Sequence, residues 1–426
     1  MERNDDMTCD LVVFNISQLV TVSGNEGLRC GQEMREVEII ENGYIVVHNG
    51  TFLEVGCGDV PKHYINDHTK MIDASGLTVT PGLIDSHTHL VHGGSREHEF
   101  EKKLSGIPYL DLLKQGGGIL STVKATREAT FTELYKKATK SLNTMLLYGV
   151  TTIEAKSGYG LNLENELKQL EVAKKLNDDH PIDITSTFLG AHAVPEEYKN
   201  RKEDYIKEVL EMLPIIKERK LADYCDVFCE EGVFTIEESR HILNAAKNQG
   251  FKLKIHADEI VAQGGATLAS ELECVSADHL MASTDQDIEN LVRNKVVANL
   301  LPQTSFNLNK TYANGRHMVD MGCGISLSTD YNPGSSPSEN MQLVMQLASI
   351  KMRLHPKEVI TAVTKNAACS INQEAQKGSI EKGKEADFVI FDAPNLDYLL
   401  YHFGINHVKD VFKNGKQVVK DQAICY

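Results

Sequence analysis

His87 and His89 stand two residues apart at the end of the stretch TPGLIDSHTHL, residues 80 to 90. In an extended strand, residues i and i+2 face the same side, so the two imidazoles point together. Two neutral imidazoles that converge are good ligands for a first-row metal ion. An HxH pair alone is weak evidence, because the pattern also arises by chance. Three other apolar segments end in residues of the same kind. KIHADE carries His256 and Glu259, SADHL carries Asp278 and His279, and SLSTDYNPGS carries Asp330. Any one of these could be a satisfied core group; Ser328 and Thr329 could hold Asp330 in a purely structural network. Four strand ends that bring four histidines and Asp330 to one rim are hard to explain as core filling. Buried polar groups are costly unless paired, and a cation would pair them.

The chemistry of such a set divides naturally. His87, His89, His256 and the Asp330 carboxylate are N/O donors for one divalent ion, with room left for water. That ion lowers the pKa of the water, toward ~7 in the best zinc cases. Asp330 can take the proton released. His279, off the metal, can orient the attacking oxygen or polarise the bond under attack. Glu259 can hold or shuttle a proton on a substrate ring nitrogen. The donors accept zinc or iron alike.

The elements that must position these residues follow from the hydrophobic pattern. Between residues 79 and 330 strands alternate with amphipathic helices, with strands near 79–89, 150–157, 183–193, 224–230, 252–257, 274–280, 296–302 and 324–330. Thr130 with Glu133, Thr235 with Glu238 and Ser336 with Glu339 read as helix-starting capping boxes. Eight such units over about 250 residues are the expectation for an α/β chain closed into a (β/α)8 barrel, whose active sites sit at the C-terminal ends of the strands. A doubly wound open sheet would show a Gly-rich phosphate loop after its first strand. The glycines at 116–118 lack that spacing and read as a mobile loop. The long first crossover, 90 to 149, reads as a lid. Residues 10–80 and the last forty are β-rich, with hairpin signals at Asn49-Gly50 and Asn414-Gly415. The expected organisation is a composite β-sandwich of residues 1–79 and 381–426 around a barrel of residues 80–380.

Composition excludes several classes. The net charge of −16 over 426 residues gives no footprint for nucleic acid or an anionic membrane. No apolar run approaches the ~20 residues that span a bilayer. The beginning MERNDDMTCD does not resemble a signal or transit peptide. Nine cysteines without a repeated spacing point to ordinary thiols in a reducing compartment, hence a cytoplasmic protein.

Taken together, PGLIDSHTHL, IHADE, SADH, STDYNPG and the terminal GSIEKGKEADFVIFD resemble the amidohydrolase superfamily over nearly the whole chain. That resemblance implies a metal-dependent barrel with a β-sandwich made from both chain ends. Within it, EAKSGYGL, LGAHAVPEE, HADE and DYNPGS resemble the branch that hydrolyses the ring of 4-imidazolone-5-propanoate to N-formimidoyl-L-glutamate in histidine degradation. By that resemblance Arg96 contacts the propionate, which suits a guanidinium fork; the plain alternative is a loop arginine paired with Glu97 or Glu99. By the same resemblance Tyr159, His192, Asn332, Gly334 and Ser335 contact substrate or product, and the protein is a homodimer. Some relatives bridge two metals with a modified lysine on strand four. Here Lys156 ends strand two and Glu230 lies nearer that position, so both read as supporting residues around a single metal. Two rivals remain: an aromatic-base deaminase on the same scaffold, and a non-catalytic binding protein of this fold.

Overall fold

The computed structural model describes residues 9–24, 26–105 and 117–426. The chain opens with β1 (Leu11–Val20), β2 (Ile39–His48), β3 (Thr51–Cys57), β4 (Lys70–Asp73) and β5 (Thr78–Pro81). Eight strands follow, separated by helices: β6 (Leu83–Thr88), β7 (Val150–Lys156), β8 (Asp183–Ala191), β9 (Tyr224–Cys229), β10 (Lys252–Ala257), β11 (Ser276–His279), β12 (Val297–Leu300) and β13 (Ile325–Leu327). The chain closes with β14 (Phe388–Phe391), β15 (Val408–Lys413), β16 (Lys416–Lys420) and β17 (Ala423–Ile424).

The first five and last four strands form one sheet. Its order is β17-β16-β15-β14-β5-β1-β2-β3, with β4 also paired to β1. The seam between the two chain ends is antiparallel, Val79 opposite Ile390 and Pro81 opposite Phe388. Phe388 stacks on Phe412 at 4.4 Å in a core shared with Phe52, Ile45 and Val79. Both predicted hairpins are present. Asn49 and Gly50 have φ of 49° and 78°, and Asn414 and Gly415 have 48° and 70°. Two consecutive positive φ values give the turn whose twist suits a hairpin.

The eight middle strands are parallel throughout, in sequence order from β6 to β13. They form the (β/α)8 barrel. One expected strand, near 79–89, is two. Pro81 ends the terminal sheet, Leu83 begins the barrel, and Gly82 is the step between them. A side chain at Gly82 would collide with Thr151, so only glycine fits this crossing.

The boxes at Thr130/Glu133 and Thr235/Glu238 cap helices Phe131–Leu147 and Ile236–Asn248. Ser336 and Glu339 do not form one. Ser336 donates to Thr329 O at 2.6 Å, and the next helix, Met341–Met352, is capped by Asn340. Residues 1–8 and, within the expected lid of residues 90–149, residues 106–116, Gly116 among them, lie outside the described residues. Gly118 starts the helix Ile119–Glu128 and donates its N–H to Glu99 at 2.7 Å. All nine cysteines are free thiols.

Gly415→Ala tests the terminal hairpin. A Cβ there would meet Val47 Cγ1 at 2.7 Å on a residue with φ of 70°. The expected outcome is a loss of about 1–3 kcal/mol in denaturant unfolding, with bound metal unchanged.

Candidate metal centre and active site

The barrel closes where β13 runs on past Leu327 to meet β6. Asp85 accepts from Thr329 N at 3.0 Å and Thr329 Oγ1 at 2.6 Å. Asp330 N donates to His87 O at 3.1 Å, and His89 N donates to Tyr331 O at 2.8 Å. Each residue of the HxH pair is thereby bonded through its backbone to the segment bearing Asp330. Asp330 sits at φ 53°, in the left-handed region that aspartate tolerates better than most residues.

The predicted donors converge. Ligating atoms of His87, His89 and His256 lie within 4.8 Å of one another, as do those of His87, His279 and Asp330, and all are buried. Asp330 Oδ1 lies 3.4 Å from Nε2 of both His87 and His89. Two donors on one tetrahedral ion with bonds near 2.0–2.2 Å stand roughly 3.4 Å apart. Among the described residues, His87 Nε2, His89 Nδ1, His256 Nε2 and His279 Nδ1 are buried without a hydrogen-bond partner. His89 faces Asp330 through its other nitrogen, but His87 and His256 have carboxylates behind their Nδ1 atoms and no hydrogen-bond partner at Nε2, which a cation in the cage would relieve. The residues therefore fit a divalent ion.

Carboxylates behind the cage set the imidazoles. Asp278 bonds His87 Nδ1 at 2.6 Å, and Asp226 bonds His256 Nδ1 at 3.2 Å. A proton on each Nδ1 leaves each Nε2 lone pair for the ion. Lys156 Nζ lies 2.7 Å from Asp226, 2.9 Å from Glu154 and 3.5 Å from Asp278, all fully buried. Lys254 joins Glu154 from the other side at 2.9 Å. Burial alone would raise the Asp226 carboxyl, but His256 and Lys156 outweigh it and hold it well below the usual range. Burial likewise disfavours the Lys156 ammonium, and Asp226, Glu154 and Asp278 together raise its pKa. Lys156 is thus a paired cation in this network. Glu230 accepts the N–H groups of Ile260 at 2.8 Å and Val261 at 3.2 Å, which anchors the loop bearing Glu259.

The remaining predicted residues line the same rim. His279 Nε2 lies 3.6 Å from Glu259 Oε2. The Glu259 carboxyl is raised by desolvation, with His279 opposing the shift. His192 stacks on His89 at 4.9 Å with 11° between rings, and its Nδ1 bonds Gly158 O at 3.0 Å. Burial lowers its pKa well below the ordinary value, so the ring is neutral, with Nδ1 protonated and Nε2 an acceptor. Tyr159 packs against both, 5.7 Å from His89 and 5.2 Å from His192.

Arg96 takes the pairing left open between two glutamates: Nε and Nη2 donate to Glu99 at 2.9–3.1 Å. Its Nη1 lies against Gly334, where a Cβ would collide with it. Asn332 turns its amide inward. Its oxygen accepts from Gly334 N and Ser335 N at 2.8 Å, and its nitrogen donates to Asp330 O at 2.6 Å. The Ser335 hydroxyl accepts from Asn332 at 2.8 Å and reaches Asp330 Oδ2 at 3.3 Å. Asn332, Gly334 and Ser335 therefore build one loop that joins Arg96 to Asp330.

Sequence reasoning named Glu99 as a possible partner of Arg96 but missed Glu154, Asp226, Lys254 and Thr304. A charged residue inside an apolar strand, as in YCDVFC and KLKIHA, was the available signal for two of them.

Eight parallel strands, a terminal β unit and a His/Asp cage at the C-terminal rim define a metal-dependent hydrolase of the barrel class. Residues 78–418 match the amidohydrolase family, and the chain belongs to it. It is 57% identical to an imidazolonepropionase of Fusobacterium nucleatum subsp. nucleatum, over 97% of this chain and 100% of that one. It is 54% identical to an imidazolonepropionase of Alkaliphilus metalliredigens, over 97% and 99%. Among solved structures it superposes on a zinc-bound adenosine deaminase from Xanthomonas campestris with TM-score 0.73, at 17% identity, over 98% of this chain and 94% of that one. E. coli guanine deaminase gives TM-score 0.72 at 14% identity, over 96% and 98%. At these identities the likeness is one of fold.

Asp226→Asn removes the anion that orients His256. Zinc affinity measured by chelator competition should fall by about 10–100-fold; unchanged affinity would remove Asp226 from the support of the site.

Proposed function

We propose that this chain hydrolyses 4-imidazolone-5-propanoate to N-formimidoyl-L-glutamate, the ring-opening step of histidine degradation. The observation that carries the proposal is the full-length identity of 54–57% with imidazolonepropionases, on a chain whose candidate donors all converge. His87, His89, His256 and Asp330 would hold one zinc or iron ion. When bound, that ion supplies Lewis acidity and makes a water molecule ready to lose a proton near neutral pH.

The other steps belong to side chains. Asp330 takes the water proton, and its buried carboxylate keeps that proton within reach of the ring. His279 faces the same cage edge and stabilises the oxygen charge that develops as the ring carbonyl is attacked. Glu259, with its raised pKa, passes a proton to the departing ring nitrogen. Arg96 meets the propionate, and Tyr159 and His192 flank the ring. His192 Nε2 accepts from a ring N–H. Asn332, Gly334 and Ser335 shape the floor between ring and carboxylate.

An aromatic-base deaminase shares the barrel, as the adenosine and guanine deaminase structures do. It has less use for a guanidinium beside the cage. A non-catalytic reading expects missing donors, and each of the four is present.

The same proposal divides the chain into a β unit of residues 1–79 and 381–426, with β5 at the seam, and a barrel of residues 80–380. It places the protein in the cytoplasm; no described helix is long and apolar enough to cross a membrane. It takes the protein as a homodimer. Tyr401 (81% exposed), Phe403 (67%) and Ile405 (48%) present apolar surface suited to a second copy.

Purified protein should remove the absorbance of imidazolonepropionate and contain a divalent metal. Ammonia release from guanine or cytosine without that activity would favour the deaminase, and no metal with no activity after metal addition would favour the scaffold. Asp330→Asn should lower kcat by at least ~10²-fold. Arg96→Ala should raise KM by about 10–100-fold, the value of a charge-assisted bidentate pair; an unchanged KM removes Arg96 from substrate binding.

A further inference from the structure

The seventh barrel strand, β12, contributes no donor to the cage. The turn that follows it does something else. Thr304, fully buried in the helix Pro302–Leu308, donates its hydroxyl to Asp330 Oδ2 at 2.6 Å. The two oxygens of Asp330 are thereby made unequal. Oδ1 faces Nε2 of His87 and His89 at 3.4 Å, while Oδ2 takes Thr304 and, at 3.3 Å, Ser335.

We propose that Thr304 is the positioning residue of Asp330: its hydroxyl holds Oδ2 away from the imidazoles, so that the carboxylate offers a single oxygen, Oδ1, to the ion. The inference rests on the functional reading above only for its kinetic arm.

Three observations separate this role from ordinary core satisfaction. First, helical threonines differ in where they send the hydroxyl: Thr267 and Thr361 reach other elements, at Asp287 and Met34 O, whereas Thr126 and Thr139 return theirs to a carbonyl one turn back, Thr122 O and Tyr135 O. Thr304 does not; the carbonyl one turn back, Leu300 O, is taken by Ser328 N at 3.2 Å. Second, the turn is fastened to the loop that follows Asp330. Gln303 Nε2 donates to Ser336 Oγ at 2.9 Å and Ser338 O at 2.7 Å, and Asn307 Nδ2 donates to Ser335 O at 2.8 Å. Donor and acceptor are therefore fixed relative to each other. Third, Asp330 lies past the end of β13 at φ 53°, where strand geometry no longer aims its side chain. A second fixed point is needed, and Thr304 supplies it.

The test compares Thr304→Val, which keeps the shape and removes the hydroxyl, with Thr304→Ser, which keeps the hydroxyl. Zinc-loaded enzyme is used throughout. In chelator competition, Thr304→Val should bind zinc about 10–100-fold more weakly. Its kcat for imidazolonepropionate should fall by a similar factor, with KM within about twofold of the parent. Thr304→Ser should restore both quantities to within about threefold. Parent-like zinc affinity and kcat in Thr304→Val would overturn the proposal, as would a Thr304→Ser protein impaired as badly as Thr304→Val. If Thr304→Val does not fold, Ser335→Ala removes the longer of the two hydroxyl contacts. It should weaken zinc binding in the same direction by a smaller factor, and no change would overturn the proposal. The chelator arm needs no substrate, so a parent enzyme inactive on imidazolonepropionate would sink the functional reading and leave this one still decided by zinc affinity.

Discussion

The ammonium of Lys156 is the charge on which the rest of the site depends. It lies among Asp226, Glu154 and Asp278 in the interior of the barrel, with no exposed surface. Carboxylates crowded in a low-dielectric interior raise one another's pKa, and at least one would take a proton. The lysine prevents that. Asp226 and Asp278 remain anionic, and each binds the Nδ1 of one cage histidine. The tautomers of His256 and His87 are therefore set by a residue that touches neither ring. Lys156, at the end of strand two, is an ammonium held by three carboxylates, and such an ammonium has no lone pair to offer.

Such a network is not a source of net stability. Burying charged groups costs several kcal/mol each even when they are paired, and an apolar core of the same volume would often be as stable. What the network supplies is position. Lys254 ties Glu154 to the carbonyl of Ser86 at 3.4 Å, the residue before His87. Ser86 in turn meets Ser328, whose hydroxyl, with that of Ser326, bonds Asn299. A polar layer thus crosses the barrel from β7 and β10 through β6 to β12 and β13. The cage stands on it, at the mouth, where the Asp85–Thr329 contact closes the ring of strands.

The legible parts of this architecture were local. The alternation of strand and helix, the two Asn-Gly hairpins and the HxH pair each declare themselves within a few residues, because backbone geometry imposes their periods. The supporting charges did not. Lys156 and Asp226 are 70 residues apart, and Lys254 and Glu154 are 100 apart. Nothing in TIEAK or YCDVFC says which distant strand will answer it. The false capping box at Ser336 fails for the converse reason. Its spacing is right, but its hydroxyl is claimed by Thr329 O as β13 bends toward the rim. The strand expected at 79–89 was misread because the step at Gly82 leaves the apolar run unbroken while the chain changes sheets. Arg96 was legible as a cation with two nearby glutamates; which glutamate holds it is decided by burial, and Glu99 is the buried one.

That last choice bears on how one scaffold serves different substrates. On the proposed function, the cage and its carboxylates serve a metal and a water, which suits hydrolysis and deamination at a ring carbon alike. On that same function, the loop Asp330–Ser335 faces the substrate's far end. One of its residues belongs to the cage, and another, Gly334, lacks the side chain that would displace Arg96. Glu99 holds the Nε and Nη2 edge of the guanidinium, which directs Nη1 toward that loop. The backbone from Asp330 to Gly334, stiffened by the inward-turned amide of Asn332, therefore sets the span between Asp330 and the cation. On the proposed function, the substrate's ring and carboxylate match that span. Specificity for an acid side chain is then, on the proposed function, a property of one short loop and the glutamate behind its arginine, while the reaction itself is left to the barrel.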